Sequence, residues 1–324
     1  MIKIAIVGFG IVGRSFAELL LRKRETLAKR IGEFEVVLVA DSKSAMYGEF
    51  DLREAIEIKK KSGRLKYDAK AVELLQELDY DVLVECTPTR IDGGEGVEHM
   101  RIALSSGAHV VTSNKSIVAA FRELEELAEK KGVRLMYEAT VGAAIPVIRT
   151  IRGYLSTFTI TGLAGVLNGT CNYILTRMED EGLSYEHVLR EAIELGIAEA
   201  DPSYDVEGID AAIKLVILAN TIGIDARFED VERRGISFLT PEAFKAASEK
   251  GYTIRLVAEA GDSLSVRPRL VRKGHPLATR GTMNVIVLHT EEAGSISLAG
   301  RGAGGVETAS AMLSDLVAIY DSSR

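Results

Sequence analysis

The chain has 324 residues, of which 47% are hydrophobic and 27% charged, and its formal net charge is −7. This composition is typical of a globular protein with two domains, and it argues against disorder. The excess of acidic groups argues against a nucleic-acid partner, because phosphate binding depends on clustered lysine and arginine. No apolar run approaches the roughly 18 residues that a membrane span needs.

Two further features of the composition bear on location and metal chemistry. The first predicted strand begins at Ile2, which leaves no room for a signal peptide, so we expect a cytoplasmic protein. Cys86 and Cys171 are too few for a disulfide framework or a metal cluster, and each lies in an apolar stretch that favours a small buried side chain. The five histidines show no metal-ligand spacing.

The first 137 residues predict alternating strands and helices. Ile2–Val7 is a β-branched strand, followed by the glycine turn Gly8–Gly13 and a helical pattern that reaches Arg30. Such alternation indicates an α/β fold with a Rossmann-type parallel sheet and right-handed crossovers. Further predicted strands are 35–40, 81–85, 109–112 and 133–137, and further predicted helices are 95–105 and 116–130.

The pattern changes after Glu138, where helices and longer strands occur in separate runs. This order predicts a second, α+β domain with an antiparallel sheet. We therefore expect a dinucleotide-binding domain over residues 1–137, with 302–324 packing back on it, and a second domain over 138–301. The predicted strands are 156–167, 252–259, 263–271 and 283–289, and the predicted helices are 171–180, 184–195, 208–223 and 240–250.

The glycine turn GFGIVG has the spacing of a dinucleotide-binding fingerprint. Gly8 allows the tight turn, Gly10 lets the backbone approach a pyrophosphate, and Gly13 lets helix and strand pack closely. Ile11 and Val12 open the helix whose N-terminus faces the phosphates. A glycine turn selected for packing alone does not explain the strand before it, the helix after it and the acid that ends the next strand.

The preference between NAD and NADP stays open at this stage. Asp41 ends the second predicted strand, where a carboxylate can accept hydrogen bonds from the ribose hydroxyls of NAD. It lies 28 residues after Gly13 rather than about 20, since the intervening helix is longer. Lys43 and Lys59 could instead neutralise the 2′-phosphate of NADP. Use of both coenzymes is compatible with this pattern.

Residues that follow two other predicted strands could contact the coenzyme or take part in the reaction. Lys115 closes the sequence TSNK after the strand 109–112, at the carboxyl edge where open α/β sheets bind ligands. The alternative is a surface lysine near a helix start. Thr87 follows the strand 81–85 and is a candidate contact for the nicotinamide or its ribose, although a capped turn would use the same residue.

The stretch Ala192–Lys214 places several carboxylates and one lysine in a turn-rich loop that enters an apolar helix. Asp210 and Lys214 stand four residues apart and should share one helical face at the border of the core. An ammonium group beside carboxylates and apolar walls suits the binding of a small zwitterion and the transfer of a proton. The alternative is an ordinary ion pair within the helix. Lys214 and Lys115 are thus the best acid/base candidates.

This stretch resembles the signature of the homoserine dehydrogenases, and the resemblance covers essentially the whole chain. Supporting blocks are TSNK, EATVGAAIP, NGTCNYIL and GRGAGGVETA. Cys171 and Arg301 stand where the family usually has Thr and often Pro, so neither receives an essential role. The signature A-x3-G-hydrophobic-small-x2-D-P-x2-D-hydrophobic-x-G-x-D-x3-K is filled by Ala192, Gly196, Ile197, Ala198, Asp201, Pro202, Asp205, Val206, Gly208, Asp210 and Lys214.

The resemblance implies reversible NAD(P)-dependent interconversion of L-homoserine and L-aspartate 4-semialdehyde, in threonine and methionine biosynthesis. It implies that Glu199, Asp205 and Asp210 hold the substrate's α-ammonium group. Lys214 would be the general acid/base, and Lys115 would assist at the reacting oxygen and contact the coenzyme.

The resemblance also implies three features that side-chain patterns do not reveal. Gly196 and Gly304 match backbone positions beside the coenzyme. The family generally forms homodimers through the sheet of the second domain, and we expect the short form without the regulatory ACT domain. A monovalent cation, Na⁺ or K⁺, would be held by the Glu138 side chain and by the carbonyls of Val141, Ala143 and Ile145.

Two rival functions remain. The first is another NAD(P)-dependent oxidoreductase of the same two-domain layout, such as an aspartate-semialdehyde dehydrogenase or an amino-acid dehydrogenase. An aspartate-semialdehyde dehydrogenase needs a nucleophilic cysteine, and neither cysteine has a base beside it in the sequence. A non-catalytic dinucleotide sensor would bind coenzyme without turnover, and it gives no reason for two lysines and three carboxylates of this kind.

Overall fold

A computed structural model describes residues 1–321, and the contacts within the chain divide it into two units. The first unit comprises residues 1–143 and the terminal segment from Gly304, and the second comprises residues 144–303. The boundaries expected from the sequence fall after residues 137 and 301. Positions 322–324 of the expected terminal segment lie outside the described residues.

The first unit contains a seven-stranded sheet in the order β4-β3-β2-β1-β5-β6-β7. Strands β2, β1, β5, β6 and β7 run parallel, while β3 and β4 add an antiparallel edge. The parallel part confirms the Rossmann-type sheet predicted above. The strands are β1 Ile2–Val7, β2 Phe34–Ala40, β3 Ser44–Tyr47, β4 Tyr67–Asp68, β5 Val82–Glu85, β6 His109–Thr112 and β7 Leu135–Met136.

Helices connect these strands. Their apolar faces, such as Phe16 and Leu20 on the first helix, join the strand residues Ile4 and Ile6 in one buried cluster. Short 3-10 helices cover Lys115–Ala119 and Glu138–Thr140. The α-helices are α1 Ile11–Arg22, α2 Arg24–Ile31, α3 Leu52–Ser62, α4 Ala71–Glu77, α5 Gly94–Ser106 and α6 Phe121–Lys131.

The second unit contains a six-stranded sheet in the order β13-β12-β8-β10-β11-β9. Its pairs are antiparallel except for the short β9, which runs parallel to β11. This confirms the α+β architecture. The strands are β8 Ile160–Val166, β9 Glu232–Arg233, β10 Tyr252–Ala260, β11 Leu264–Arg272, β12 Met283–Thr290 and β13 Gly294–Arg301.

The second unit contains one long apolar helix, α11, which packs against strands β8, β10 and β11 and against the short helix α10. Ten consecutive residues of α11, from Asp210 to Ala219, are buried, so its two charged residues enter the core with their neighbours. The helices are α7 Val147–Arg149, α8 Gly169–Glu181, α9 Tyr185–Glu194, α10 Ser203–Val206, α11 Ile209–Thr221 and α12 Pro241–Glu249. A π-helical turn covers Thr150–Tyr154, and 3-10 turns cover Phe228–Asp230 and Pro276–Ala278.

The terminal helix α13, Gly305–Tyr320, belongs to the first unit. Its buried residues Met312 and Leu316 lie in the same apolar cluster as Phe16 of α1. A Cβ at Gly305 would lie 2.8 Å from the side chain of Ile11, so the two helices approach closely beside the glycine turn. Within residues 1–321, no helix combines the length and apolarity that crossing a membrane demands.

Candidate active site

The glycine turn after β1 has backbone geometry that only glycine satisfies. Gly8 has φ +92°, and a Cβ there would lie 2.3 Å from the carbonyl carbon of Cys86. A Cβ at Gly13 would lie 2.4 Å from the carbonyl oxygen of Gly8. Gly10, in contrast, faces open space, with nothing within 4 Å of its Cβ position. The turn is therefore tight on the protein side and open on the side where a pyrophosphate would lie.

Helix α1 begins directly after this turn and leaves its N-terminus accessible. Ile11 is 71% exposed and Val12 is half-buried, although both are apolar. The first turn carries no acidic side chain that would repel an anion. The N–H groups of a helix N-terminus and its partial positive charge suit phosphate oxygens. The five predicted fingerprint residues thus fit a dinucleotide.

The carboxylate of Asp41, after β2, is already engaged by the protein. It accepts from the N–H groups of Lys43 and Ser44 at 2.9 and 2.8 Å and from the Ser44 hydroxyl at 2.9 Å, and it pairs with Lys59 Nζ at 2.5 Å. Burial alone would raise the pKa of Asp41, but the Lys59 ammonium and the other donors outweigh it and hold that pKa below its ordinary value. Lys43 is exposed beside this pair.

The loops after β5 and β6 bring Thr87 and Lys115 to the carboxyl edge of the sheet. Lys115 is half-buried and opens a 3-10 helix that Asn114 caps, because the Asn114 side chain accepts from Ser116 N–H at 2.8 Å. Asn114 Nδ2 also donates to Thr87 Oγ1 at 2.9 Å. Thr87 donates both its N–H and its hydroxyl to Glu85. One hydrogen-bonded network therefore positions both predicted residues.

In the second unit, Asp210 and Lys214 form the expected i,i+4 pair. Lys214 Nζ lies 2.7 Å from Asp210 Oδ2 and donates to the carbonyl oxygen of Leu167 at 2.8 Å. Each of the two residues is 7% exposed. Lys214 is thus fixed in place by two oxygens and not held as a mobile surface group.

Asn168 joins the two predicted carboxylates, a role that the sequence did not reveal. Its Nδ2 donates to Asp205 Oδ1 at 2.6 Å and to Asp210 Oδ2 at 3.0 Å. Its Oδ1 accepts from Cys171 N–H at 2.8 Å and so caps α8. The position of Asn168 before a helix was the available signal, since asparagine is a preferred N-cap.

Cys171 contributes more than the apolar filling expected of it. Its thiol lies 3.1 Å from the Asp205 carbonyl oxygen and donates to it. Burial, and then the charges of Asp205 and Asp210, raise the pKa of the Cys171 thiol well above its ordinary value, so the group keeps its proton. Burial likewise raises the pKa of the Cys86 thiol. Neither cysteine has the thiolate character of a nucleophile.

The predicted residues Glu199 and Gly196 lie in the exposed loop after α9. Among the described residues, the Glu199 side chain makes no hydrogen bond or ion pair, so it stays outside the network that joins Asp205 and Asp210. Tyr204, which the sequence did not single out, lies beside that network. Partial burial, and then the charges of Asp210 and Asp205, raise the pKa of Tyr204 to about 12.

The remaining predicted residues lie in two backbone-defined segments. Glu138 is 4% exposed, and its N–H donates to Asp315 Oδ2 at 2.9 Å. Ala143, with φ +48°, is the only non-glycine residue in the described chain with a positive φ. Gly304 caps α13 with φ +130°. Val141 is buried in the first unit, and Ile145 is buried in the second.

Comparison with known proteins identifies the family. The family model described as "Homoserine dehydrogenase, NAD binding domain" matches residues 8–138, and the model described as "Homoserine dehydrogenase" matches residues 146–317. The chain belongs to the homoserine dehydrogenase family. It accordingly has the NAD(P)-dependent oxidoreductase activity of that family, the interconversion of L-homoserine and L-aspartate 4-semialdehyde.

Individual relatives match over the full length. A homoserine dehydrogenase of Methanocaldococcus jannaschii is 45% identical to this chain, and the alignment covers 99% of both proteins. A crystal structure from Archaeoglobus fulgidus, with a provisional homoserine dehydrogenase assignment, has TM-score 0.96 and 60% identity over 99% of this chain and 100% of that one. A hyperthermophilic archaeal homoserine dehydrogenase in complex with NADPH has TM-score 0.86 and 33% identity over 98% and 97%.

Proposed function

We propose that Lys214 is the general acid/base of the homoserine dehydrogenase reaction in this chain. The observation that supports this most is the fixed position of its ammonium group. Of its three N–H donors, one faces Asp210 and one faces the Leu167 carbonyl, which leaves the third for a substrate oxygen. In the reductive direction Lys214 Nζ donates a proton to the oxygen that becomes the hydroxyl of homoserine. In the oxidative direction the neutral amine takes it back.

Asp205 and Asp210 are proposed to bind the α-ammonium group of the amino acid. Asn168 donates to one oxygen of each carboxylate and so holds the two acids side by side, an arrangement that suits charge-assisted hydrogen bonds to an ammonium group. Helix α8 begins at Gly169, directly after Asn168, and the dipole of this helix favours negative charge at its N-terminus. Glu199 would join the two carboxylates from its exposed loop.

The first unit is proposed to bind the dinucleotide with Gly8, Gly10, Ile11, Val12 and Gly13. When bound, the nicotinamide supplies or accepts the hydride at C4. Thr87 and Lys115 would contact the coenzyme from the neighbouring loops, and Lys115 would add a positive charge near the reacting oxygen. Gly196 and Gly304 would contribute backbone contacts, in keeping with their exposed, positive-φ positions.

We propose further that the chain uses NADP as well as NAD. Asp41 is neutralised by Lys59 and accepts three other hydrogen bonds, so it presents little net charge to repel a 2′-phosphate. The exposed Lys43 could then pair with that phosphate. Parallel measurements of kcat/KM for NADP and NAD test this, and more than about 100-fold preference for NAD would contradict it.

Location, oligomeric state and cation binding complete the proposal. The enzyme is proposed to be cytoplasmic, as expected from its sequence, and to form a homodimer, as the resemblance implies; light scattering on the purified protein would test the dimer. It is also proposed to bind Na⁺ or K⁺, and a rise in melting temperature on adding either chloride salt, against a tetramethylammonium chloride control, is the expected result. The cation ligands would be Glu138, Val141, Ala143 and Ile145, and the positive φ of Ala143 is the backbone feature that supports them.

The deciding experiment compares Lys214→Ala with the wild type in homoserine-dependent reduction of NADP and NAD. We expect kcat to fall by about 100-fold or more, since general acid/base groups contribute on that scale. NADPH affinity, measured by its fluorescence enhancement, should change by less than about 2-fold.

Lys245→Ala, which removes an exposed lysine of α12, is the control and should retain wild-type kcat. Turnover by Lys214→Ala within a factor of about 3 of the wild type would assign Lys214 to an ordinary helix ion pair. Absence of homoserine-dependent reduction by the wild-type protein with both coenzymes would refute the proposal as a whole.

A further inference from the structure

Behind the loops that carry Thr87 and Lys115 lies a buried carboxylate that the proposed mechanism does not use. Glu85, the last residue of β5, is 0% exposed, and its partner His99 on α5 is 2% exposed. Glu85 Oε2 lies 2.9 Å from His99 Nδ1. A carboxylate is costly to bury unless its lone pairs meet donors, so a residue that served only as core filling would be apolar.

We propose that Glu85 is a positioning residue that fixes Lys115 and Thr87 for the reaction, with His99 as the group that orients its carboxylate. This inference rests on the roles proposed above for those two residues. Glu85 does not itself contact substrate or coenzyme in this assignment. It acts through the two loops that it ties together.

The two carboxylate oxygens of Glu85 have different hydrogen-bond partners, and this difference supports the role. Oε2 faces the buried imidazole, while Oε1 faces the loops. Oε1 accepts from Thr87 N–H at 2.8 Å, from the Thr87 hydroxyl, and from Asn114 Nδ2 at 3.3 Å. The same oxygen therefore holds the loop after β5 and the loop after β6 in one fixed arrangement.

Asn114 transmits this arrangement to the lysine. Its amide nitrogen binds Glu85 and Thr87, and its amide oxygen caps the 3-10 helix that starts at Lys115. Gly96 of α5 leaves the space that Asn114 needs, because a Cβ at Gly96 would lie 2.2 Å from Asn114 Nδ2. Both loops are thus set from the buried side by one acceptor, at the edge of the sheet where the coenzyme is proposed to bind.

A glutamine in place of Glu85 tests the acceptor requirement with little change in volume. Its NH₂ group cannot accept a hydrogen bond, so a bond is lost unless the imidazole of His99 moves its proton to Nε2 and accepts from this NH₂ group at Nδ1. In either case the loop donors lose the negative charge of their acceptor, which weakens their hydrogen bonds. If Glu85 acts through Lys115, Glu85→Gln should lower kcat by about 10-fold or more in the wild-type background. In the Lys115→Ala background the same change should lower kcat by less than about 2-fold, since the positioned group is absent.

The rate of reductive methylation of Lys115, read by mass spectrometry against the exposed Lys130, gives a readout that needs no turnover. We expect Glu85→Gln to change the rate at Lys115 by at least about 3-fold and to leave Lys130 unchanged. Glu179→Gln removes a buried carboxylate that pairs with Arg255 in the other unit, and it should leave the Lys115 rate within about 2-fold.

His99→Gln and His99→Leu cover the case in which Glu85→Gln does not fold. The glutamine keeps an N–H donor, and it should preserve the Lys115 methylation rate and at least a third of kcat. The leucine should reproduce the effect expected of Glu85→Gln. Equal kcat losses from Glu85→Gln with and without Lys115, or an unchanged Lys115 methylation rate, would overturn the inference. Lack of turnover by the wild type would instead overturn the proposed function, and the methylation result would still decide the positioning role.

Discussion

The two units carry the two halves of the proposed function, the dinucleotide site and the substrate site, and the two sites are built differently. In the first unit the dinucleotide site is formed by backbone groups. Gly8 and Gly13 let three segments approach closely, and no side chain caps the N–H groups at the start of α1. In the second unit the site consists of side chains. Asn168, Asp210 and Lys214 meet in a buried network in which each group has a stated partner.

This difference determines what a substitution does in each half. A methyl group added to the backbone site acts by steric exclusion, and its effect follows from the space around the Cβ. A side chain removed from the network acts by leaving a charge or a donor without its partner. The two halves should therefore respond differently to matched changes.

The largest expected effect is that of Gly8→Ala. The new Cβ would lie 2.3 Å from the backbone at Cys86, in a position with φ +92°, so the turn must rearrange. We expect NADPH affinity to fall by more than about 100-fold and the free energy of unfolding to fall by about 3 kcal/mol. Denaturant unfolding and NADPH fluorescence titration measure the two quantities.

Gly10→Ala is the matched control for the same turn. Gly10 has φ −82° and open space at its Cβ, so the free energy of unfolding should stay within about 1 kcal/mol of the wild type. NADPH affinity should still fall, because the methyl group would occupy the side on which the pyrophosphate is proposed to lie. Unchanged affinity in Gly10→Ala would show that the phosphates bind elsewhere.

The next effect in size concerns Asn168 in the side-chain half. Asn168→Leu removes the donor that Asp205 and Asp210 share, together with the cap of α8. We expect KM for homoserine to rise by about 10-fold or more, since two carboxylates left without that donor would turn away from the substrate. Stability should fall by about 2 kcal/mol from the lost hydrogen bonds.

A second helix cap in the same unit separates these two consequences. Ser184 caps α9 by accepting from His187 N–H, and Ser184→Ala should lower stability by about 1 kcal/mol with KM unchanged. If Asn168→Leu behaved like Ser184→Ala, with a loss of stability alone, the amide would have no part in holding the carboxylates for the substrate.

Features with a regular spacing could be predicted from the sequence. The strands β1 and β6 have the predicted bounds, because β-branched runs between turn residues leave little choice. Asp210 and Lys214 meet as the i,i+4 rule requires. The pattern over 44–77 gave no prediction, and the structure forms β3, α3, β4 and α4 there. These short elements depend on packing against the rest of the sheet. The spacing of apolar residues within each segment does not reveal that packing.

The anchors of the site were harder to predict for a related reason. Asn168 lies 37 residues before Asp205, and Glu85 lies 29 residues before Asn114, so only the folded chain brings each pair together. Their residue types were visible, but their partners were not. Glycines reveal a backbone site in one local motif, whereas a side-chain network draws its members from distant elements.

The smallest expected effect concerns the coenzyme preference, where the backbone half depends on one charged pair. Lys59→Ala removes the cation that neutralises Asp41, so the carboxylate should repel a 2′-phosphate more strongly. We expect KM for NADP to rise by about 5-fold relative to KM for NAD. Lys60→Ala removes the same charge at the next position, where the lysine pairs with exposed Glu18, and should leave the ratio unchanged.

The same variant has a pH signature that identifies its cause. Lys59 helps to hold the pKa of folded Asp41 below 3.8, so its stabilisation is present above that pH and is lost as the pH falls through the lower, folded value. The stability difference between wild type and Lys59→Ala should therefore be roughly constant from pH 5 to 7 and shrink below about pH 4. A coenzyme effect without this acid-side change would mean that Lys59 acts on the phosphate directly and not through Asp41.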